Sequence, residues 1–508
     1  MSEQGEFSEI ELARLEKIRA LREQGVQPFP GRAERSHTSR EAIQAFEAEE
    51  NKKSAKPVKA TLVGRIRSTR VMGKLIFAHI EDGAGSVQLF LRANELGEDS
   101  LESFRDYFDL GDFIQARGEM FRTRAGEVSL QVAAYHMLAK AITPLPAAKD
   151  EEVDGAIVRH AALTDPEIRF RQRYADLAVN PEVREVFRIR AGITRSLRRF
   201  LDGRGFLEVE TPVLQPIYGG AAARPFVTKH NQLKQDLYLR ISFELYLKRL
   251  LVGNLERVYE IGRDFRNEGV DRTHNPEFTM LEFYAAYMDY EQVMDLTEEM
   301  LRATANDVLG GTKFSYQGNE IDLGPKWPRI ELTEGLADFS GVDIKQHPDA
   351  ASLAKAMRAK GMEADPAAPR GKLIEDLVGE FIEPKLIQPG FIYNYPRDVS
   401  PLAKSLPGDP QIVERFEGYM GGFEICNAFT ELNDPLDQKA RFEEMGLAFG
   451  EDDEDRHPMD EDYLRAMRYG MPPNGGFGMG IDRLTMLFTD RPNIREVILF
   501  PHLRQRED

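Results

Sequence analysis

The feature that most constrains the fold is a series of five short segments between Thr61 and Lys140 in which apolar and polar residues alternate. Alternation with a period of two is typical of strands that bury one face. One helical segment, DSLESFRDYF, follows the third strand. This order predicts a small Greek-key barrel of the oligonucleotide-binding (OB) type, with an unrelated β-sandwich as the alternative. The five segments are TLVGRIRSTRV, KLIFAHIED, SVQLFLRA, DFIQARGEMFRT and EVSLQVAAYHMLAK.

The second and third barrel strands carry residue types that suit unpaired nucleotides. Alternation can bring Phe77, Gln88 and Phe90 to one face, with Arg70 nearby. Aromatic rings stack on any base, and amides read base edges. The alternative is that both phenylalanines belong to the core. Residues 1–140 hold 21 Lys and Arg against 22 Asp and Glu, so the net charge of −18 arises in the rest of the chain and does not exclude nucleic acid here.

Length and composition define the broad class. A chain of 508 residues is too long for one ordinary core, which predicts two or more domains. It contains no run of about 18 apolar residues and begins without the apolar core of a signal peptide, so we expect no membrane partner. The single cysteine, Cys426, excludes an intramolecular disulfide and favours the cytoplasm.

The segments around the barrel indicate further elements. Residues 1–30 are expected to form a charged helix, followed by a polar linker, FEAEENKKSAKP. Beyond the barrel, a charged connector leads into a helix with an apolar face and then into a strand, FLEVETPVL. Pro212 interrupts this strand and belongs at a sheet edge, which places the unit at an exposed seam or a subunit contact. The apolar face consists of Val183, Val186, Phe187, Ile193, Leu197, Phe200 and Leu201.

A strand, RVYEIGRDFRNEG, returns as a second strand, PEFTMLEFYAAY, around a polar loop. Arginine suits a phosphate or carboxylate because its planar fork donates two hydrogen bonds, and an aromatic ring can stack on a flat heterocycle. A hairpin held by purely structural ion pairs is the alternative. The polar and aromatic candidates are Arg266 and Glu268 on the first arm, His274 at the tip, and Phe278, Glu282 and Tyr284 on the second arm.

A second hairpin is predicted in RFEGYMGGFEICNAFTELND, with Gly421 and Gly422 in the turn. A two-residue turn places Glu417 and Glu424 diagonally on one face. Two carboxylates that face one way repel each other unless a cation lies between them, and their oxygens suit Mg²⁺ that carries substrate phosphates. Two separately solvated glutamates are the alternative.

A glycine-rich strand, GGFGMG, runs directly into the helix IDRLTMLF, which carries Arg483 in its first turn. Such glycines let the backbone pass close to a ligand, and Arg483 could clamp a terminal phosphate. The phosphate-loop pattern G-x-x-x-x-G-K-[ST] does not occur in the chain.

Taken in order, GFLEVETPVLQP, FRNEG with HNPEF, and GFGMGIDRLTMLF resemble the three signature motifs of class II aminoacyl-tRNA synthetases. The segments GGAAARPF, ELYLKRLLVGNLERVYEIGRDFRNEG and LIQPGFIYNYPRDVSPLAK resemble the lysyl-tRNA synthetase branch. The resemblance covers roughly residues 57–505. It implies an α+β protein in which a five-stranded OB barrel precedes a catalytic domain built on an antiparallel sheet flanked by helices.

The resemblance also implies a domain order and a reaction. The protein would activate L-lysine with ATP and Mg²⁺, pass the lysyl group to the terminal ribose of tRNA(Lys), and act as a cytoplasmic homodimer. The implied divisions are a helical extension and linker at 1–56, an anticodon-binding barrel at 57–145, a connector at 146–180 and the catalytic domain at 181–508.

Individual positions receive roles from the same resemblance. Arg266 and Arg483 are the catalytic residues, and Glu417 and Glu424 would hold Mg²⁺. The ATP-binding residues are Arg266, Glu268, His274, Asn275, Phe278, Glu417 and Arg483. The lysine-binding residues are Gly220, Glu244, Arg266, Glu282, Tyr284, Asn427, Phe429 and Glu431. The anticodon-binding residues are Arg70, Phe77 and Gln88.

Lysine is chemically reasonable as the guest. A buried ammonium needs carboxylate and hydroxyl acceptors, which Glu431 and Tyr284 can provide, and breaking a buried pair costs roughly 3–5 kcal/mol. A neutral guest of similar length would leave Glu431 buried and unmatched.

The chain departs from the family at Cys426 and Ala428, which stand where glycines usually flank the asparagine. Strict alternation cannot put Glu424 and Asn427 on one face, so a bulge is expected between them.

Three alternatives remain open at this point. An aspartyl- or asparaginyl-type enzyme of the same class would need a cation where Glu431 lies. A lysine ligase that acts on a translation factor would lack the barrel. An inactive regulatory or nucleic-acid-binding relative would have no need to retain Arg266, Glu417, Glu424 and Arg483 together.

Overall fold

The computed structural model of the protein forms two compact units, Met1–Thr164 and Asp165–Asp508. Among the residues that it describes, no helix is long and apolar enough to cross a membrane. Parts of the predicted connector at 146–180 lie outside the described residues. The described residues are 7–54, 56–146, 149–153, 156–160, 163–221, 223–365, 368–448 and 459–504.

The first unit contains a closed five-stranded barrel. Its strands are β1 (Lys59–Met72), β2 (Leu75–Glu81), β3 (Ser86–Arg92), β4 (Phe113–Arg122) and β5 (Val128–Ala139), and β6 (Lys149–Val153) pairs separately with β7 (Ala156–His160). The barrel order is β1-β2-β3-β5-β4, with only the β3–β5 pair parallel. Alternate residues such as Leu62, Ile76 and Leu89 fill its core. The predicted OB barrel is therefore confirmed.

Four helices accompany the barrel: α1 (Glu9–Glu23), α2 (Ser39–Glu50), α3 (Ala93–Leu96) and α4 (Glu98–Tyr107). The prediction of one helix over residues 1–30 is too long, because α1 ends at Glu23 and residues 1–6 lie outside the described chain. The predicted linker FEAEENKKSAKP is wrong in its first half, which forms the end of α2. Thr38 and Glu41 form a capping box that starts this helix, and Ala42 anchors it in the barrel core.

The second unit is built on a large mixed sheet. Its main path is β16-β17-β19-β20-β21-β13-β12-β8, with β18 paired to β19. The strands are β8 (Leu207–Glu208), β9 (Leu214–Gln215), β10 (Val227–His230), β11 (Gln235–Leu239), β12 (Arg257–Phe265), β13 (Glu277–Ala286), β14 (Lys313–Tyr316), β15 (Asn319–Asp322), β16 (Arg329–Glu331), β17 (Gly390–Pro396), β18 (Ser405–Leu406), β19 (Asp409–Met420), β20 (Phe423–Thr430) and β21 (Asn474–Gly480). The interior pairs are antiparallel, and the terminal pairs β16–β17 and β12–β8 are parallel.

Helices flank this sheet, as expected for the predicted α+β fold. They are α5 (Pro166–Arg171), α6 (Arg173–Val179), α7 (Pro181–Gly203), α8 (Glu244–Val252), α9 (Tyr290–Leu309), α10 (Leu332–Ser340), α11 (Ala350–Ala359), α12 (Arg370–Phe381), α13 (Pro435–Ala448), α14 (Glu461–Arg468), α15 (Ile481–Phe488) and α16 (Ile494–Val497). Short 3₁₀ helices lie at Ile344–Gln346, Glu383–Lys385 and Arg397–Val399.

The central strands bury one face against α7 and α9. Leu281, Phe283, Cys426, Ala428 and Phe477 belong to the same buried cluster as apolar residues of these two helices. Because side chains alternate along a strand, the residues between them point to the other face. The sequence pattern thus separates a structural face from a face that is available for polar side chains.

The segment FLEVETPVL does not form one interrupted strand, and that prediction is wrong. It forms β8, which pairs with β12, and β9, which pairs with β11 in a separate sheet. Between them, the backbone N–H and hydroxyl of Thr211 both donate to Glu260 at 2.9 and 2.7 Å. This buried acceptor draws the chain away from the ladder just before Pro212, which has no N–H to continue it.

Candidate active site

A row of residues crosses the polar face of the central sheet. Glu260, Glu282, Gly478, Asn427 and Glu417 are successive cross-strand partners on β12, β13, β21, β20 and β19. Strands are spaced about 4.8 Å apart, so Glu282 and Asn427 face each other across roughly 10 Å with only a glycine between them. The glycine-rich strand therefore forms the floor of a trough with polar walls.

The next row of cross-strand partners on this face also has a glycine between two larger side chains. Gly476 lies between Tyr284 and Phe429. A methyl group on Gly476 would lie 1.9 Å from Oε1 of Glu431 and 2.5 Å from the ring of Tyr284. Only glycine at this position leaves room for the acid and the phenol. The sequence predicted that glycines of this strand let the backbone pass close to a ligand, and Gly476 is the glycine at which the pocket side chains leave no room for a side chain.

Three buried carboxylates, Glu244, Glu282 and Glu431, line one end of the trough. Glu282 accepts hydrogen bonds from Ser242 Oγ at 2.9 Å, from the N–H of Phe243 at 3.3 Å and from Tyr284 Oη at 3.1 Å. Burial, together with the negative charge of Glu244, raises the pKa of Glu282 to about 7. This end of the site is therefore poised to receive positive charge.

The backbone at Gly220 lies directly beside this acid cluster. Its φ of +90° favours glycine, and a methyl group there would approach Oγ of Ser242 at 3.0 Å and Cβ of Glu244 at 3.1 Å. The structure therefore brings together the predicted Gly220, Glu244, Glu282, Tyr284 and Glu431.

Lys248, which the sequence reasoning missed, lies fully buried among these acids. Its Nζ is 2.5 Å from Glu244 Oε1, forms an ion pair with Glu431, and lies 5.3 Å from the ring centroid of Phe429. Within the described chain, Oε1 of Glu431 has no hydrogen-bond partner. The expectation that a neutral guest would leave Glu431 unmatched needs correction, because Lys248 already pairs with this carboxylate. The available signal was the i, i+4 spacing of Glu244 and Lys248 on α8.

The predicted nucleotide residues gather at the other end of the polar face. The guanidinium of Arg266 lies 5.1 Å from the ring centroid of Phe278. Arg483 contacts His274 Nε2 at 3.2 Å and Oε2 of Glu424 at 3.1 Å. Two further predicted residues lie in the loop between β12 and β13: Asn275 is buried and donates to the carbonyl of Glu277 at 2.6 Å, whereas Glu268 is exposed.

The bulge expected between Glu424 and Asn427 is present. Tyr419 pairs with Glu424, but the preceding residue, Gly418, pairs with Cys426, so Ile425 is the extra residue. The bulge places Asn427 directly opposite Glu417. Cys426 and Ala428 point into the buried core, away from the trough.

Glu417 and Glu424 fit a cation that also holds phosphate. Tyr395 Oη donates to Glu417 at 2.8 Å, and Arg415 and Tyr419 also contact this carboxylate. The pKa of Glu424 is raised by its enclosure and by the negative charge of Glu417. No group of three or more His, Cys, Asp or Glu side chains in the described part of the chain forms a complete metal cage. A hard cation held by two carboxylates and completed by phosphate oxygens matches this arrangement.

Arg415 is a second residue that sequence reasoning missed. Its Nε donates to Asn427 Oδ1 at 3.0 Å, and another nitrogen forms the ion pair with Glu417. It therefore links the predicted amide of the amino-acid pocket to the predicted metal ligand. No motif marked it, because its role depends on the register between β19 and β20.

In the first unit, the three predicted nucleotide-binding side chains lie on the outer face of the barrel. Arg70 is exposed and directly opposite Phe77, which contacts Phe90 with ring centroids 5.3 Å apart. Gln88 is buried, donates to Glu127 Oε2 at 2.6 Å and accepts from Ser129 Oγ at 2.9 Å. Only Gln88 is therefore committed to intramolecular hydrogen bonds.

Comparison with known proteins agrees with this geometry. Residues 165–504 match the family model of class II tRNA synthetases for D, K and N, and residues 60–138 match the OB-fold nucleic acid binding domain. The fold and site thus define a class II aminoacyl-tRNA synthetase.

Full-length relatives narrow the class. The chain is 52% identical over 502 residues to the lysine–tRNA ligase of Roseiflexus castenholzii and 52% identical over 504 residues to that of Chloroflexus aurantiacus, covering 99% of this chain and 100% of each relative. The lysine–tRNA ligase of Moorella thermoacetica is 48% identical, with 99% of both chains covered. The chain therefore belongs to the lysine–tRNA ligase family, which confirms the predicted family and enzyme class.

Proposed function

We propose that the protein activates L-lysine with ATP and transfers it to the 3′-terminal ribose of tRNA(Lys). In the first step, the lysine carboxylate attacks the α-phosphorus of ATP, and pyrophosphate leaves. In the second step, the ribose hydroxyl attacks the lysyl carbonyl, and AMP leaves. The observation that carries this proposal is the charge balance of the trough.

Three buried carboxylates face one resident ammonium at the pocket end. Glu244, Glu282 and Glu431 carry up to three negative charges, and Lys248 supplies one positive charge. Free lysine brings an α-ammonium and an ε-ammonium, which would complete the balance. A buried charge is stable only when it is paired, so a guest with two ammonium groups is favoured over a guest with one.

The rest of the trough fits the nucleotide. Arg266 would meet the lysine carboxylate and the α-phosphate, so it would neutralise charge that develops between them. Phe278 and Arg483 would sandwich the adenine, with Glu268, His274 and Asn275 near the phosphates. Catalysis then depends on positioning and charge neutralisation, without a covalent enzyme intermediate.

Glu417 and Glu424 would hold Mg²⁺. When bound, the ion would supply a counter-charge for the phosphates of ATP. Arg415 and the hydroxyls of Tyr395 and Tyr419 keep Glu417 oriented before any ligand arrives. Arg483, on α15, forms an ion pair with the carboxylate of Glu424, on β20.

The barrel would bind the anticodon of tRNA(Lys) through Arg70, Phe77 and Gln88. The half-buried ring of Phe77 gives a stacking surface beside an exposed arginine, which suits an unpaired base.

We further propose a cytoplasmic homodimer with α7 and the segment around Pro212 at the contact. Leu207, Val213 and Leu214 expose large apolar side chains there. Sedimentation should give a dimer at micromolar concentration, and a stable monomer would refute the contact.

An enzyme for aspartate or asparagine fits the pocket poorly. Aspartate needs a free cation for its side chain, but Lys248 is already shared by Glu244 and Glu431. Adding another carboxylate beside three buried acids would be strongly unfavourable. Asparagine brings one ammonium group, which leaves one of the buried acids without a positive partner.

The test is pyrophosphate exchange into ATP with each standard amino acid in turn. Lysine alone should support exchange, and tRNA charging should then require tRNA(Lys). Exchange that depends on aspartate or asparagine, or on no amino acid, would overturn the proposed substrate.

A further inference from the structure

Lys248 is an unusual residue for a buried helix face. It lies on α8 between Leu247 and Leu251, which are fully or almost fully buried, and its own side chain has no exposed surface. An ammonium loses its hydration on burial, which is costly unless carboxylates replace the lost water. A methionine or leucine would fill the same space without that cost, so the charge calls for a reason beyond packing.

The position of the ammonium supplies a reason. Nζ of Lys248 bridges Glu244, one turn earlier on α8, and Glu431, just beyond the end of β20. The two acids come from different elements, and both are buried. Without a cation between them, they would repel each other and one would take up a proton.

The surroundings keep Lys248 charged. Burial lowers the pKa of its ammonium, but Glu244 and Glu431 raise it more, so the pKa lies above the ordinary value. Burial raises the pKa of both Glu244 and Glu431, and the charge of Lys248 opposes that rise. The charged and titratable groups that face this centre are Glu244, Glu282, Tyr284, Arg415, Glu431 and Tyr463.

We propose that Lys248 is a positioning and specificity-determining residue that holds Glu244 and Glu431 ionised and in place for a guest with two ammonium groups. It leaves the three acids two positive charges short of neutrality, which the two ammonium groups of lysine supply while the lysine carboxylate meets Arg266. Lys248 does not touch the reacting atoms and acts through the two acids. This inference rests on the proposed lysine-activating function.

The test compares Lys248→Met with the native protein in lysine-dependent pyrophosphate exchange. Methionine keeps the unbranched apolar stem, ends one atom short of the ammonium and removes the charge. The KM for lysine should rise by about 30-fold or more, as expected when one partner of a buried charge pair is lost. The KM for ATP and the kcat at saturating lysine should change much less.

The pH profile separates this role from a structural one. Glu282 has a pKa of about 7, so native lysine binding should weaken as pH falls below that value. In Lys248→Met, Glu244 and Glu431 lose the positive charge that opposes the rise of their pKa, so the break below which lysine binding weakens should lie at a higher pH than in the native protein. Taking the ratio of variant to native KM at each pH cancels the titration of free lysine. A purely structural defect would give a ratio that does not vary with pH, and this result would overturn the proposal.

Two further variants complete the design. Lys248→Arg retains the charge and should restore the native position of the break. The matched control is Lys439→Met, which removes an exposed lysine paired with Glu443 at the same i, i+4 spacing, and should leave the profile unchanged.

If Lys248→Met does not fold, the double variant Lys248→Met, Glu244→Gln can be compared with Glu244→Gln alone. The double variant has the native net pocket charge, whereas Glu244→Gln alone is one charge less negative. The pH below which lysine binding weakens should therefore be lower for the single variant than for the double variant. Equal breaks would overturn the proposal. If the native protein shows no lysine-dependent exchange, the proposed function fails instead. A native response to lysine with an unmoved break would reject only the role of Lys248.

Discussion

Arg483, in the first turn of α15, donates a hydrogen bond to the backbone carbonyl of Glu424 at 2.7 Å and contacts its carboxylate at 3.1 Å. One arginine thereby fixes the glycine-rich strand and its helix against the proposed metal ligand. The same guanidinium approaches His274 in the β12–β13 loop. The proposed nucleotide end of the site is thus held together from three separate parts of the sequence.

Replacing Arg483 with glutamine should impair the use of ATP. We expect kcat/KM for ATP in pyrophosphate exchange to fall by about 30-fold, because the adenine would lose a desolvated cation–π contact of about 2 kcal/mol. The KM for lysine should change little. Lysine at this position should not restore activity, because it lacks the planar fork. Arg465→Gln, which alters an exposed arginine on α14, is the control, and a defect confined to lysine would contradict the assignment.

Replacing Gly476 with alanine should damage the amino-acid pocket. The added methyl group would overlap Glu431 and Tyr284, and overpacking of this kind costs about 1–3 kcal/mol. We expect a higher KM for lysine with a nearly unchanged KM for ATP. Gly311→Ala, where the new methyl group has open space, should be neutral. Equal behaviour of the two variants would show that Gly476 does not border the pocket.

Lysine binding should depend on pH near neutrality. Burial and the charge of Glu244 raise the pKa of Glu282 to about 7, and only the ionised carboxylate attracts an ammonium. The KM for lysine should therefore fall as pH rises toward this pKa and level off above it. Glu282→Gln should weaken binding and remove this break. A native KM that is flat from about pH 6 to 8 would refute the assignment.

Phe77→Ala should separate the two activities. Loss of a stacking surface should weaken tRNA binding by about 1–3 kcal/mol and slow tRNA charging. Pyrophosphate exchange should hardly change, because Phe77 lies in the barrel and not in the sheet unit. Val71→Ala, which alters an exposed residue next to Arg70 on β1, is the control. An equal loss in both assays would argue against anticodon recognition by this face.

Local patterns predicted much of the architecture. The alternation of the barrel strands and the two glycine-containing hairpins define local pairings, and the structure has them. Even the bulge at Ile425 followed from the need to place Glu424 and Asn427 on one face. These features depend on neighbours in sequence, which is why sequence patterns reveal them.

Other features depend on contacts between distant segments. Lys248 follows Glu244 by four residues, a spacing that usually marks an ion pair on an exposed helix face. The buried charge cluster exists only because Glu431, which is distant in sequence, also pairs with Lys248. The segment around Pro212 alternates like a strand, but hydrogen bonds from Thr211 to Glu260 divide it. Such long-range contacts leave no periodic signal in the sequence.

Equilibrium binding of L-lysine and L-norleucine to the native protein and to Glu431→Gln tests the charge-balanced pocket most directly. Norleucine has the same carbon chain and lacks only the terminal amino group. Calorimetry should show that the native protein prefers lysine by about 30-fold or more, because Lys248 balances only one of the buried acids and Oε1 of Glu431 is left for the ε-ammonium. Glu431→Gln should lose most of that preference. Comparable native affinities for lysine and norleucine would contradict an ε-ammonium site at Glu431.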